Sequence, residues 1–152
     1  MLHSDGFDPK DKDVTVLVVG DGSTPRAGCT FAVRTQWTVH SIDPQMRTTG
    51  PWTTVRRLTT HTAKIEDCRF AADKVVIVMV HCHVAMDDVL HSLEYQPKVL
   101  GVVSAPCCHF SDLQTHVYGH APIADFEDVS MQSGRREIRV WHVKKNASVI
   151  QN

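Results

Sequence analysis

Three segments of the chain are almost continuously apolar: Val14–Val19 (VTVLVV), Lys74–Val80 (KVVIVMV) and Lys98–Val103 (KVLGVV). Runs of β-branched residues without polar alternation predict strands buried on both faces, as in a parallel sheet. Trp37–Ile42 (WTVHSI) predicts another strand, closed by Asp43-Pro44, and Val55–Lys64 predicts a weaker one. Ser23 or Thr24 can cap a helix whose first position suits Pro25, so a helix is expected over Pro25–Arg34. Ala85–Glu94 (AMDDVLHSLE) carries its apolar residues at helical spacing and predicts a second helix. Phe126–Met131 and Glu137–Val143 flank the polar stretch Gln132–Arg136, which reads as an antiparallel hairpin. Strands alternating with helical segments imply an α/β fold with a mostly parallel sheet. The intervening segments are long enough for crossover connections.

Composition narrows the setting. The 152 residues are 42% hydrophobic and 22% charged, in the range of an ordinary globular domain. Lys plus Arg is 16 and Asp plus Glu is 17, a formal net charge of -1, which argues against a general polyanion-binding surface. The basic pairs Arg56-Arg57, Arg135-Arg136 and Lys144-Lys145 leave room for local phosphate contacts, although solvated surface charge is the simpler reading. No apolar run approaches the ~20 residues of a membrane helix. Residues 1–13 are polar and acidic and read as a flexible tail rather than a signal peptide. The expected organisation is one domain over 14–145 with a second tail over 146–152. Cys29, Cys68, Cys82, Cys107 and Cys108 are odd in number and irregularly spaced, unlike a disulfide framework. That usage points to a reducing, intracellular setting, with the cytoplasm expected. Without a secretory signal, Asn146-Ala147-Ser148 reads as a chance sequon.

Candidate chemistry gathers at the ends of the expected strands. Gly20-Asp21-Gly22 lies between a buried strand and a helix start, where glycines let a ligand approach the backbone and the helix dipole favours anionic groups; a plain tight turn is the alternative. Ligands of open α/β sheets bind at the carboxyl ends of strands near the switch point. Asp43 follows 21 residues after Gly22, placed to accept ribose hydroxyls or simply to cap a turn before Pro44. Glu66 and Asp67 follow the third strand; a carboxylate there receives an amino group or is a solvated loop charge. The dinucleotide fingerprint is incomplete, because Pro25 stands at its third glycine, and this weighs against a nicotinamide-dependent oxidoreductase. His81, Cys82, His83, Cys107, Cys108 and His109 cluster at two neighbouring strand ends. Zinc is not expected there, since alternate residues face opposite sides and no C-x-x-C spacing exists. Inert buried thiols are one reading of that cluster. In the other, His81 or His109 is a general base and Cys82 or Cys107 a nucleophile.

Taken together, VLVVGDGSTPRAG, WTVHSIDP, AKIED and VVIVMVHCHV resemble motifs I to IV of the class I S-adenosylmethionine-dependent methyltransferases. VHCHV and SAPCCHF are similar to a narrower group, the tRNA ribose methyltransferases and related proteins with a Pro-Cys-Cys-His segment. The chain departs from the common acidic-x-Gly-x-Gly-x-Gly pattern, with Val18 at its first place and Thr24 at its last. The resemblance implies a Rossmann-like methyltransferase domain with strand order 3-2-1-4-5-7-6 and a closing antiparallel hairpin. It implies S-adenosylmethionine along Gly20, Asp21, Gly22 and Ser23, its ribose at Asp43 and its adenine by Glu66 or Asp67. His81 and Cys82 would face the transferred methyl group, with Cys107 and His109 as further catalytic candidates and RNA as the acceptor. No Asn/Asp-Pro-Pro-aromatic segment follows the fourth strand, so methylation of a base amino group is not implied. The chain is short for this fold, and a homodimer or a partner protein is expected to supply acceptor recognition. The alternative is a methyltransferase-like domain that has lost catalysis and serves as a structural or assembly subunit.

Overall fold

The computed structural model describes residues 7–132 and 134–142, without the side chains of Cys108 and His109. The Lys144-Lys145 pair, the 146–148 triplet and the 146–152 segment lie outside the described residues. Seven strands form the main sheet: β1 (Val14–Val19), β2 (Thr38–Ile42), β3 (Leu58–His61), β4 (Lys74–Val80), β5 (Lys98–Ala105), β6 (Ala124–Glu127) and β7 (Glu137–His142). Their spatial order is β3-β2-β1-β4-β5-β7-β6, the order the resemblance implied. The first five strands pair in parallel, and β7 runs antiparallel to both β5 and β6. The fold is α/β with a mostly parallel sheet and a C-terminal antiparallel hairpin, as expected.

The apolar runs become the inner strands because both their faces are covered. Leu17, Val19, Ile42, Ile77, Met79, Val102 and Trp141 face one core, together with the helix α2 (Met86–His91). Val14, Val16, Val18, Val39, Val76 and Leu100 face the other, with Ala32 of helix α1 (Arg26–Arg34) and Trp37. With both faces covered, alternation has no polar face to mark, which is why these strands read as unbroken apolar runs.

Several boundaries move from expectation, each for a local reason. Neither Ser23 nor Thr24 caps α1; the Asp21 carboxylate does so instead, accepting the N–H groups of Ala27 (3.0 Å) and Gly28 (2.8 Å). The third strand shrinks from Val55–Lys64 to Leu58–His61. Arg57 adopts a left-handed φ of 65°, and its guanidinium turns to the carbonyls of Ala32 and Thr35 at the end of α1. The helix expected over Ala85–Glu94 stops at His91. Ser92 turns its N–H and hydroxyl back to Val89, and its carbonyl accepts the N–H of Phe70 at 2.8 Å. This draws Leu93–Glu94 into a short parallel ladder with Phe70–Ala71. The first hairpin strand is Ala124–Glu127 rather than Phe126–Met131, because Asp128 binds the N–H and hydroxyl of Ser130 and bends the chain.

Residues 7–13, expected to belong to a tail, lie against the sheet. Phe7 sits where a side chain on Gly101 would stand: a Cβ there would come within 2.8 Å of its ring. The Asp8 carbonyl accepts the Trp37 indole N–H at 2.8 Å, and Asp11 pairs with Lys74 at 2.7 Å.

Candidate functional site

The chain leaves β1 for α1 on one side and returns through β3 to β4 on the other, so the β1–β4 boundary is the topological switch point. A cavity of about 490 Å³ opens at the carboxyl ends of these strands. Its wall comes from the ends of β1 (Val19, Gly20) and β2 (Ile42–Gln45), the stretch after β3 (63–66) and the loop after β4 (81–84).

Backbone hydrogen bonds hold these ends level. Gly20 N–H reaches the Ile42 carbonyl (2.9 Å), Asp43 N–H the His61 carbonyl (3.1 Å) and His81 N–H the Ala105 carbonyl (2.9 Å). The two glycines of the turn have different reasons. Gly20 has φ 83°, and a Cβ on it would come within 2.5 Å of the Cys82 Cβ and 2.7 Å of the Val80 carbonyl oxygen. The close approach at Gly20 is therefore between β1 and the loop after β4. Gly22 has φ 78° and open space around its missing side chain. The helix–sheet contact that a third fingerprint glycine would serve falls to Gly28, whose added Cβ would meet Ser41, Asp21 and Leu58 at 3.0–3.1 Å.

Asp21 does not line the cavity. Its carboxylate is committed to α1 and to the Ser41 hydroxyl at 2.7 Å. Asp43 does line it, with Oδ2 accepting Gly22 N–H (2.9 Å) and Oδ1 accepting Gln45 N–H (2.8 Å). It is thus a turn cap, and each oxygen keeps acceptor capacity towards the cavity. Glu66 lines the wall, whereas its neighbour Asp67 and the turn residues Gly22 and Ser23 stand outside it.

After β4, His81, Cys82 and His83 all reach the wall. His81 takes a left-handed φ of 46°, a strained conformation for a non-glycine residue at the lip of a cleft. His83 lies flat on Phe110, with ring centroids 5.0 Å apart and planes within 7°. Cys107 stands outside the wall but donates its thiol to the His81 carbonyl at 3.4 Å. The candidate His109 belongs to the 3-10 turn Cys108–Leu113, and its side chain falls outside the described part of the structure. Burial pushes the Cys82 thiol up to about 12, so the thiolate is scarce at neutral pH. Among the described residues, no three His, Cys, Asp or Glu side chains converge as a metal site would need.

Two buried polar groups of this region carried no sequence signal. Gln114 is 1% exposed; its amide nitrogen donates to the carbonyls of Cys82 (3.1 Å) and Val84 (2.8 Å), and its amide oxygen accepts the Ser104 hydroxyl. Ser104 closes an apolar strand and Gln114 stands in an aperiodic polar stretch, so neither shows as a core position.

No helix among the described residues is long and apolar enough to cross a membrane. No protein-family model matches the sequence, and no curated protein matches it either. Among solved structures, the chain is similar to the 23S rRNA methyltransferase ErmE at 12% identity and a TM-score of 0.49. That alignment covers 73% of this chain and 45% of ErmE. It is similar to a candidate type II methyltransferase from Anaeromyxobacter dehalogenans at 19% identity and a TM-score of 0.40, covering 60% of this chain and 41% of the other. It is also similar to a candidate S-adenosylmethionine-dependent methyltransferase from Listeria monocytogenes at 22% identity and a TM-score of 0.41, covering 64% and 48%. The chain spans less than half the length of each of these three structures.

Proposed function

We propose that the chain binds S-adenosylmethionine in the switch-point cavity and transfers its methyl group to RNA. The observation that carries this reading is one juxtaposition. In a sheet of order β3-β2-β1-β4-β5-β7-β6, Gly20 after β1, Asp43 after β2 and the loop after β4 meet around one cavity. The residues fit the cofactor. Asp43 retains acceptor capacity for the two ribose hydroxyls, and Glu66, on the wall, is assigned to receive the adenine amino group. Gly22 leaves open space beside the turn. When bound, the cofactor supplies a methyl carbon already activated by a sulfonium, so the chain has to bind, align and move one proton. His81, at the wall, is assigned the proton of the acceptor hydroxyl; Cys82 forms wall rather than nucleophile, since burial keeps its thiol protonated. RNA as acceptor is supported by the VHCHV and SAPCCHF segments and their likeness to tRNA ribose methyltransferases.

Asp21, Gly22, Ser23 and Asp67 stand outside the cavity wall, which favours a second reading: a methyltransferase-like domain that has lost catalysis and serves as a structural or assembly subunit. Calorimetric titration with S-adenosylmethionine and S-adenosylhomocysteine, with NADH as control, tests the first reading. Saturable micromolar binding of the first two alone is expected, and absence of binding by a folded sample overturns the transferase reading in favour of a structural domain that kept only the fold. Transfer of labelled methyl to bulk RNA then separates catalysis from binding alone.

A further inference from the structure

The loop after β4 supplies a whole wall of the cavity, yet its own strand ends before it begins. His81 and Cys82 have outside anchors: His81 N–H on β5, the Cys107 thiol on the His81 carbonyl, and the Gly20 backbone packed on Cys82. Two further carbonyls of the loop, of Cys82 and Val84, both point at one buried side chain, the amide of Gln114. That amide also approaches the Cys82 sulfur at 3.8 Å, and its oxygen is fixed by Ser104 on β5. Gln114 is in turn held by its main chain: Arg139 of β7 donates one guanidinium nitrogen to the carbonyls of Ser111 (2.6 Å) and Gln114 (2.8 Å). Arg139 is itself paired with Glu137 at 2.6 Å.

We propose that Gln114 is the positioning residue of the site, holding the His81–Val84 wall in its ligand-ready shape through the carbonyls of Cys82 and Val84. This rests on the reading of the cavity as the S-adenosylmethionine site. Gln114 touches no ligand in this role; it transmits the placement of β5 and β7 to the cavity. Two donors from one nitrogen and one acceptor match the three groups around it, which no apolar or singly protonated side chain reproduces. An unpaired buried carbonyl is costly, so a wall that loses this amide shifts to find water.

The test uses the full chain and two substitutions, Gln114→Met and Gln114→Glu, studied well below each melting midpoint. Gln114→Met is expected to bind S-adenosylhomocysteine about tenfold more weakly than the parent, the order of loss for groups left unpaired. Gln114→Glu adds a readout that a purely structural role would not move. A carboxylic acid can still donate one proton to a carbonyl and accept from Ser104, whereas a carboxylate can only accept. Its affinity deficit relative to the parent should therefore widen as pH rises and its carboxyl ionises. Folded variants with parental affinity, or a Gln114→Glu deficit that is flat with pH, overturn the proposal.

Alkylation of Cys82, mapped by mass spectrometry, reads the wall without any cofactor. Faster labelling in Gln114→Met supports the positioning role, and unchanged protection overturns it, even if the parent binds no S-adenosylhomocysteine and the cofactor reading falls by itself. Should both variants fail to fold, Ser104→Ala frees the amide to rotate. An affinity loss of about threefold is then expected, and no loss overturns the proposal.

Discussion

At the scale of single residues, three positions carry the sharpest expectations. Gly20 combines a left-handed φ with a backbone contact, so Gly20→Ala must both strain its own backbone and push apart β1 and the loop after β4. A loss of about 3 kcal/mol is expected, read from the shift of a urea midpoint. Gly22 shares the positive φ but has open space, so its alanine variant should cost only about 1 kcal/mol of backbone strain. If the two variants prove equal, contact with Cys82 is not what demands Gly20. Asp43→Ala removes the acceptor proposed for the ribose; a loss of at least tenfold in S-adenosylmethionine affinity is expected by calorimetry, and unchanged affinity would refute the assignment.

His40 and His61 form a further pair, Nδ1 to Nε2 at 3.0 Å, beneath Phe70. One ring must donate and the other accept, so the accepting ring must be neutral and the bond is lost when both rings are protonated. Burial, then the neighbouring His61, holds His40 down to about 4 from 6.5, and burial lowers His61 as well. The unfolded chain takes up these protons near pH 6.5, whereas the fold keeps His40 neutral until about 4 and resists protonation of His61 as well. The contribution is therefore fully present above pH 6.5 and is lost as pH falls towards 4. Denaturation midpoints should drop across that window, and His40→Gln should drop less; parallel pH profiles would show that the pair is not the cause.

At the scale of elements, α1 depends on a residue outside it. Asp21 binds two N–H groups of its first turn and the Ser41 hydroxyl of β2, fastening helix to sheet. Asp21→Ala should cost about 2 kcal/mol, whereas Ser23→Ala and Thr24→Ala should be nearly silent. Far-ultraviolet circular dichroism during thermal melting distinguishes them. The sequence offered Ser23 and Thr24 as caps, yet the positive φ of Gly22 turns the chain so that Asp21 faces the helix end. The end of α2 teaches the same point. Ala85–Glu94 has helical periodicity throughout, but the Ser92 carbonyl finds a better partner in Phe70 N–H than in another helical turn. Tertiary pairing overrode local pattern there.

At the scale of the whole molecule, a ligand that binds only the folded state must stabilise it. S-adenosylhomocysteine at a hundredfold excess over its dissociation constant should add about 2.7 kcal/mol, seen as a rise in melting temperature. NADH should leave the temperature unchanged. Phe7, placed on Gly101 and 5.7 Å from the His142 ring, joins the chain's first described residue to its last. Phe7→Ala should lower stability by about 1.5 kcal/mol, roughly half the cost of losing a fully buried aromatic.

What the chain's own pattern determined is the sheet and the place of the cavity. Burial on both faces leaves a continuous apolar run in Val14–Val19 and Lys74–Val80. The polar residues that follow the strands, Asp43 after Trp37–Ile42 and His81 after Lys74–Val80 among them, mark strand ends, where open α/β sheets place ligands. Tertiary structure alone decided which of those polar residues look into the cavity. Asp21 and Asp43 are both acids at strand ends; only packing turned one to a helix and left the other on the wall. It alone recruited Gln114, from a stretch without period, to hold the wall. A hydrogen bond between residues thirty positions apart depends on how strands stack, and local hydropathy carries no record of it.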